Sequence, residues 1–488
     1  MKKRSLLRLL SNINLARYAL VPLTVTLLLA GCGQNFYFAG RVLPPSGLTN
    51  RVLIAIQNPS AFTTGALTFV DAFYDIRHAY NNINVTFSIG AASVNEPVSI
   101  QNMPEEQAGA VYSSGNGALS LINYATEKQA NSLSGSPAAS IFISRNQQYV
   151  VSADQTAHFF VVQDRVISQS VGLNLPGVYR VSLNPSGTIG LAFVQNSDTA
   201  YSLVHLTSPQ QTTYQAYFAA NGTWPANGSG LAAQDCEPQN LPVYCVYPIA
   251  TSSNSTTGKA AFDRPVKALF SPDGSSIYVL NCGPECGGKV SGITTIPITA
   301  ASLNTGVLGP AGINLETNAG YPIPGGATNA IGTGTTLYVA GQSRNPDGYL
   351  SGNLTVFSFT TNTIQGAYPI ADGTHNKMLF ADDNTLFVGS VQCQAGERYH
   401  LDPSSSDGCL TLFNTSTNAV SFDTYKGDLT GIADVEGLHK IYVAEGGQIY
   451  IYRTTDFAAL DNSNVTVVGT AYDVAYMDGT SDANNTTY

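Results

Sequence analysis

Charge is what this 488-residue chain has least of. Asp, Glu, Lys and Arg make up 11% of it, against roughly 25% in an average soluble protein. The surface must therefore be built from Ser, Thr, Asn, Gln and Gly. Low charge beside 43% hydrophobic and 10% aromatic residues argues against a disordered chain, which carries more charge and fewer aromatics. Basic residues are the scarcer sign: 22 Lys and Arg stand against 32 Asp and Glu, a formal charge of −10. No basic patch suited to neutralising phosphates is visible, which argues against nucleic-acid binding. The acidic excess reads as a solubility device. There is one tryptophan, Trp224. Gly-x-Ser-x-Gly, His-Glu-x-x-His, a phosphate loop and Cys-x-x-Cys-His are all missing, so hydrolase-elbow, zinc-protease, nucleotide and haem signatures have no support.

What is present begins with an export signal. Lys2, Lys3, Arg4, Arg8 and Arg17 precede an apolar run from Tyr18 to Leu29, with no acid before Cys32. That run has the length of a signal h-region, well short of the roughly 20 residues of a spanning helix. It ends in Leu29-Ala30-Gly31-Cys32. The pattern resembles the bacterial lipoprotein box, which implies cleavage before Cys32 and a lipid on it. The alternative is an ordinary secretory signal ending near a cysteine. Residues 1–31 are then a signal peptide and 32–47 a short tether, and losing the leader's five basic residues leaves 17 against 32 acidic, a charge of −15. Gly33 stands where an aspartate retains some lipoproteins at the inner membrane. By resemblance, the expected address is the outer membrane, on its periplasmic or surface side.

The other six cysteines fall in three local couples, and the expected disulfides are Cys236–Cys245, Cys282–Cys286 and Cys393–Cys409. Six cysteines allow 15 pairings, so proximity alone selects these. Zinc is the competing reading, but Cys282 and Cys286 lack a second couple or nearby histidines.

A short strand motif recurs: Gly65-Ala66-Leu67-Thr68-Phe69-Val70, Gly117-Ala118-Leu119-Ser120-Leu121-Ile122, Gly352-Asn353-Leu354-Thr355-Val356-Phe357, Gly408-Cys409-Leu410-Thr411-Leu412-Phe413 and Gly447-Gln448-Ile449-Tyr450-Ile451-Tyr452. Before it stands another, as in Ile277-Tyr278-Val279-Leu280, Leu337-Tyr338-Val339-Ala340, Leu386-Phe387-Val388-Gly389 and Ile441-Tyr442-Val443-Ala444. Earlier still comes an inner strand with a tight turn, clearest in Val266 to Gly274 with its Ser-Pro-Asp-Gly. Proline presets φ there and glycine accepts positive φ. β-formers repeating at about 40 to 60 residues mark propeller blades.

This order of strands resembles the YVTN/lactonase-like β-propeller superfamily from about Val52 to Tyr476. The resemblance implies an all-β propeller of four-stranded antiparallel blades, with strands A to D running outward from the axis. Units begin near Pro97, Ser136, Pro176, Pro265, Gly325, His375 and Asp428. Val52 to Ile56 and Gly65 to Asp71 read as strands B and C lacking a strand A, and Gly469 to Tyr476 reads as a lone strand A. The C-terminal strand is therefore expected to complete the N-terminal blade, for eight blades, with seven as the alternative. One domain spans 48–478, with an insert at about 219–263 and a frayed tail at 479–488.

Three successive B–C loops are long: Asn281 to Lys289, Gln342 to Gly352 and Gln392 to Asp407. Stapled loops on a rigid scaffold are where binding residues collect. With the insert of unit four they predict one working face, carrying Trp224, Arg344, Asp347, Tyr349, Arg398, Tyr399 and His400. The competing reading is tolerated insertion with no role. His158 and His205 fall in or beside strands and read as structural. Asp434, Glu436, Glu445 and Asp473 are carboxylates near inner strands that either converge on a cation or cap turns; no metal or cofactor is predicted.

Two functions compete. The first is an envelope lipoprotein that binds or scaffolds a partner through the B–C face, attached to the membrane by its lipid, with an envelope protein or glycan as partner and the propeller itself monomeric. The second is a periplasmic lactonase-like hydrolase working in the axial pocket, its catalytic residues unassigned. A quinone- or haem-linked electron-transfer propeller has no motif behind it.

Overall fold

A computed structural model describes residues 41–482, except 59–64, 91, 93, 157–158, 167, 228–229, 252–261, 272, 299–315, 318–319 and 457. The expected signal peptide, the expected lipid site Cys32 and His158 lie outside the described residues.

The chain forms eight antiparallel blades around one axis. Strand A is Pro97–Met103 in blade two, Ala138–Ile143 in three, Val178–Leu183 in four, Pro265–Phe270 in five, Asn329–Thr333 in six, Thr374–Ala381 in seven and Leu429–Val435 in eight. Blade one takes its strand A from the far end of the chain. Thr470–Tyr476 pairs with Arg51–Gln57, which pairs with Gly65–Asp71. The expected closure is therefore present, and the count is eight. Strand D of blade one is reduced to a bridge from Thr68 to Ser88.

The recurring strand motifs are explained by burial. Ile441, Tyr442, Val443 and Ala444 are all fully buried, as are Leu337, Val339 and Ala340. Each face of a blade packs on a neighbouring blade, so strands B and C are apolar on both sides instead of alternating. Between blades one and eight, for example, Val52, Ile54 and Ile56 meet Tyr442, Ile449 and Ile451. Strand D is the outer edge and turns polar in blade two, where Lys128–Leu133 is mostly exposed, which discourages edge-to-edge pairing.

B–C and D–A connections share one face, called here the upper face; A–B and C–D connections share the lower face. Blade eight shows the minimal upper connection: Gly446 and Gly447 turn strand Lys440–Glu445 into Gln448–Arg453, both at positive φ that only glycine takes without strain.

The insert of blade four departs from expectation. It begins with helix α1 (Ser208–Asn221) and ends at strand Tyr244–Pro248, which pairs with strand C, Ala200–His205. It is thus a C–D connection and belongs to the lower face, opposite the long B–C loops.

Candidate binding face and axial channel

The upper face of blades five to seven is hydrogen-bonded across blade boundaries. In blade five, Cys282–Cys286 closes a one-turn 3-10 segment, Gly283–Cys286, that presents Glu285. Its carboxylate accepts from the Gln342 backbone N–H at 2.8 Å and the Gln342 amide at 3.1 Å in blade six. Burial raises the Glu285 pKa, and these two bonds oppose the rise. Gln342 in turn accepts from the Gly373 N–H, 2.9 Å away, in the connection to blade seven. Asp372 accepts from Gly352 at 2.8 Å and from Arg398 at 2.7 Å. The Gln392 N–H donates to Asp428 at 2.6 Å, reaching blade eight. All three cysteine couples form the expected disulfides.

The structure brings most of the expected face residues together and gives them different jobs. In blade seven the B–C loop folds into helix α2 (Glu397–Leu401). Its His400 stacks on Tyr349 of blade six, with ring centroids 3.8 Å apart. Desolvation and the adjacent Asp347 raise the Glu397 pKa. Arg398 is a staple: it bonds Asp407 at 2.8 Å and the Ile370 carbonyl at 3.2 Å, and lies 3.8 Å over the Phe422 ring. Arg344, Asp347, Tyr349, Tyr399 and His400 are exposed.

Trp224 does not belong to this face. It is 6% exposed and stacks on Phe218 of α1 at 4.1 Å. With Leu206, Tyr214, Tyr247 and Cys236–Cys245 it forms the insert's own small core. In sequence a rare aromatic beside a disulfide reads as a binding residue; in the structure it is the apolar centre of the insert. Blade four therefore adds nothing to the upper loop surface through this segment.

Two of the described histidines, His205 and His375, are structural. Burial lowers the pKa of His205, which stacks on Tyr244, and holds His375 down to about 4. His439 is exposed and its pKa is raised by its bond to Asp383.

The axial channel was not foreseen in detail. Strand A has a register shift near its start in blades one, two, three, four, five, seven and eight. The residue just past the shift projects at equivalent positions, giving Ser99, Ser140, Arg180, Lys267, Lys377, Gly431 and Asp473, with Asn329 at the matching point of blade six. Lys267 bonds Asn329 at 2.7 Å, and burial beside Arg180 and Lys377 pushes its pKa down to about 7. Lys377 reaches across blade eight to Asp473 at 2.8 Å. Gly431 makes room for that reach, since a Cβ there would lie 2.7 Å from an Asp473 carboxylate oxygen. A sequence signal for this ring existed: in a chain poor in basic residues, one stands just before the apolar run of strand A in three blades.

The four carboxylates proposed near the axis do not converge. Asp473 is paired with Lys377. Glu445 lies at the upper end of blade eight beside Asp423 and Lys426. Asp434 and Glu436 line the lower part of the channel together. Among the described residues no group of three or more His, Cys, Asp or Glu is placed to hold a metal ion.

No family model matches the sequence, and no curated protein matches it. Solved structures match the fold. The dihydro-heme d1 dehydrogenase NirN is 11% identical with a TM-score of 0.51, over 88% of this chain and 76% of that one. AztD from Citrobacter koseri is 12% identical with a TM-score of 0.43, over 88% and 97%. A 6-phosphogluconolactonase-like protein from Bacteroides uniformis is 11% identical with a TM-score of 0.43, over 88% and 99%. The resemblance is one of β-propeller fold.

Proposed function

We propose that this protein is a lipid-anchored envelope propeller that binds a protein or glycan partner on the upper face of blades five to seven. The observation behind this reading is the chain of bonds from Glu285 through Gln342, Gly373, Asp372 and Arg398, which makes loops of three blades one rigid surface. Such pre-organisation lowers the ordering cost of binding. The anchor fits the same geometry. Arg41, the first described residue, bonds the Pro104 and Gly479 carbonyls at the lower face. The nine residues from Cys32 to Arg41 span at most about 30 Å. A lipid on Cys32 would hold the lower face near the bilayer and turn the stapled loops outward. The lower face also carries the exposed Tyr74, Tyr80 and Ile83 in the C–D connection of blade one, residue types that settle at membrane interfaces. Gly33 after the lipidated cysteine favours the outer membrane.

The test is crosslinked recovery of the full-length protein from membranes, comparing wild type with the double substitution Tyr349→Ala and His400→Ala. A partner recovered by the wild type and lost by the variant, at unchanged melting temperature, supports the reading. Equal recovery by both overturns it. One observation favours the alternative lactonase-like hydrolase: the channel wall is polar, with Lys377, Asp473 and Asp434 upon it. Turnover of a lactone panel, abolished by Lys377→Met, would establish that reading in place of the first.

A further inference from the structure

The lower part of the axial channel holds a small cavity of about 60 Å³ between blades seven, eight, one and two. Its walls are mixed: Met378, Leu379, Ile432 and Val474 give an apolar stretch, and Lys377 and Asn102 stand beside it. Its lower end is acidic, with Asp434, Glu436 and Asp482. Two of these carboxylates are already engaged: Glu436 accepts from the Thr480 N–H at 3.1 Å and hydroxyl at 3.0 Å, and Asp482 meets Arg145 at 2.8 Å. Asp434 is bonded by the Asp382 backbone N–H. It is 6% exposed, and its Oδ1 has no hydrogen-bond partner among the described residues. A buried carboxyl oxygen left without a donor is destabilising, so its retention at a cavity wall needs a reason.

We propose that this cavity binds a small organic cation, an ammonium head on an apolar body, with Asp434 as its anionic partner. The apolar stretch fits a hydrocarbon body and the orphaned oxygen fits one N–H donor. An inorganic ion is a poorer match, because a hard cation asks for six or more oxygen ligands and the described residues offer no cluster of three metal-binding side chains. The local field also suits a cation. Asp382, Asp383 and Glu436 flank Asp434; the nearby His439 is held by Asp383, while Lys377 across the cavity is neutralised by Asp473. Burial, reinforced by Asp382 and Glu436, raises the Asp434 pKa to about 8. Without a cation beside it Asp434 is therefore a neutral acid at neutral pH, and an arriving ammonium favours its ionised form. The site lies below the cation ring and away from the upper loops, so it stands or falls separately from the partner-binding reading.

Isothermal titration of the detergent-purified full chain tests the proposal, with butylammonium, calcium chloride and sodium citrate as probes. Butylammonium should bind, with calcium and citrate giving no signal. Asp434→Asn should weaken butylammonium about tenfold or more, the scale of one charge-assisted hydrogen bond. Because the native acid is already neutral, this substitution should leave the melting temperature at pH 7 unchanged. Glu436→Gln supplies a second reading and should weaken binding by a smaller factor. Calcium binding as tightly as the amine, no amine binding at millimolar concentration, or equal amine affinity in Asp434→Asn would each overturn the proposal.

Discussion

At the residue scale, the acids of this chain divide by surroundings. Glu445 is fully buried and faces Asp423, with Lys426 bonded to Asp423 at 3.0 Å and 4.0 Å from Glu445. One lysine cannot neutralise two carboxylates in a dry site, so the pair retains a proton. Desolvation first, and then the Asp423 charge, raise Glu445 to about 9. The sign follows. The unfolded glutamate releases its proton near its ordinary pKa while the folded one keeps it, so this contribution to stability is fully present below the unfolded pKa. It is lost as pH rises through the folded value. Glu445→Gln keeps a neutral side chain at every pH. Its melting temperature relative to wild type should therefore climb between pH 5 and pH 9; a constant offset, measured by calorimetry across that range, would refute the assignment. Nothing in sequence distinguishes Glu445 from a turn-capping carboxylate. Its pairing with Asp423 joins two blades and depends on long-range geometry.

At the scale of elements, strands B and C were legible because both their faces are buried and their residues are β-branched or aromatic. The disulfides were legible because each couple is local. Strand D of blade four was not: the strand C before it, Ala200–His205, lacks the glycine-entered motif, so nothing in the sequence marks the insert that follows as a C–D connection. The axial ring was hidden for a related reason, since a one-residue register shift decides which strand A residue points inward. The disulfide of blade seven offers a test at this scale. It closes a separation of 16 residues around α2, and constraining such a loop is worth roughly 3 kcal/mol through the unfolded state. Replacing Cys393 and Cys409 together by serine should lower stability by about that amount and loosen the His400–Tyr349 stack. Denaturant melts measure the first effect and hydrogen exchange at α2 the second. Exchange unchanged from wild type would mean that Arg398 alone holds the loop.

At the scale of the whole molecule, stability rests on how the two chain ends meet. A propeller closed by strand pairing has its weakest seam where distant parts of the sequence must find each other, here blade one. That seam is locked by Arg51, whose side chain is 1% exposed. Arg51 donates to Asp478 just past the closing strand, to Glu127 of blade two at 2.9 Å, and to the Tyr124 carbonyl at 2.8 Å. Ser46, from the segment leading into the propeller, also donates to Glu127. One guanidinium thus joins the incoming chain, the outgoing chain and the next blade. Replacing it with alanine leaves two carboxylates buried without their cation, which costs about 3–5 kcal/mol for a broken buried pair. Arg51→Met combined with Glu127→Gln and Asp478→Asn removes the charges along with the cation and should recover much of the loss. The effect should be local first: limited proteolysis of Arg51→Ala should open the C-terminal strand before the blades opposite it. Uniform cleavage around the ring would mean that closure is carried by the Thr470–Tyr476 ladder alone, with the ion cluster as its ornament.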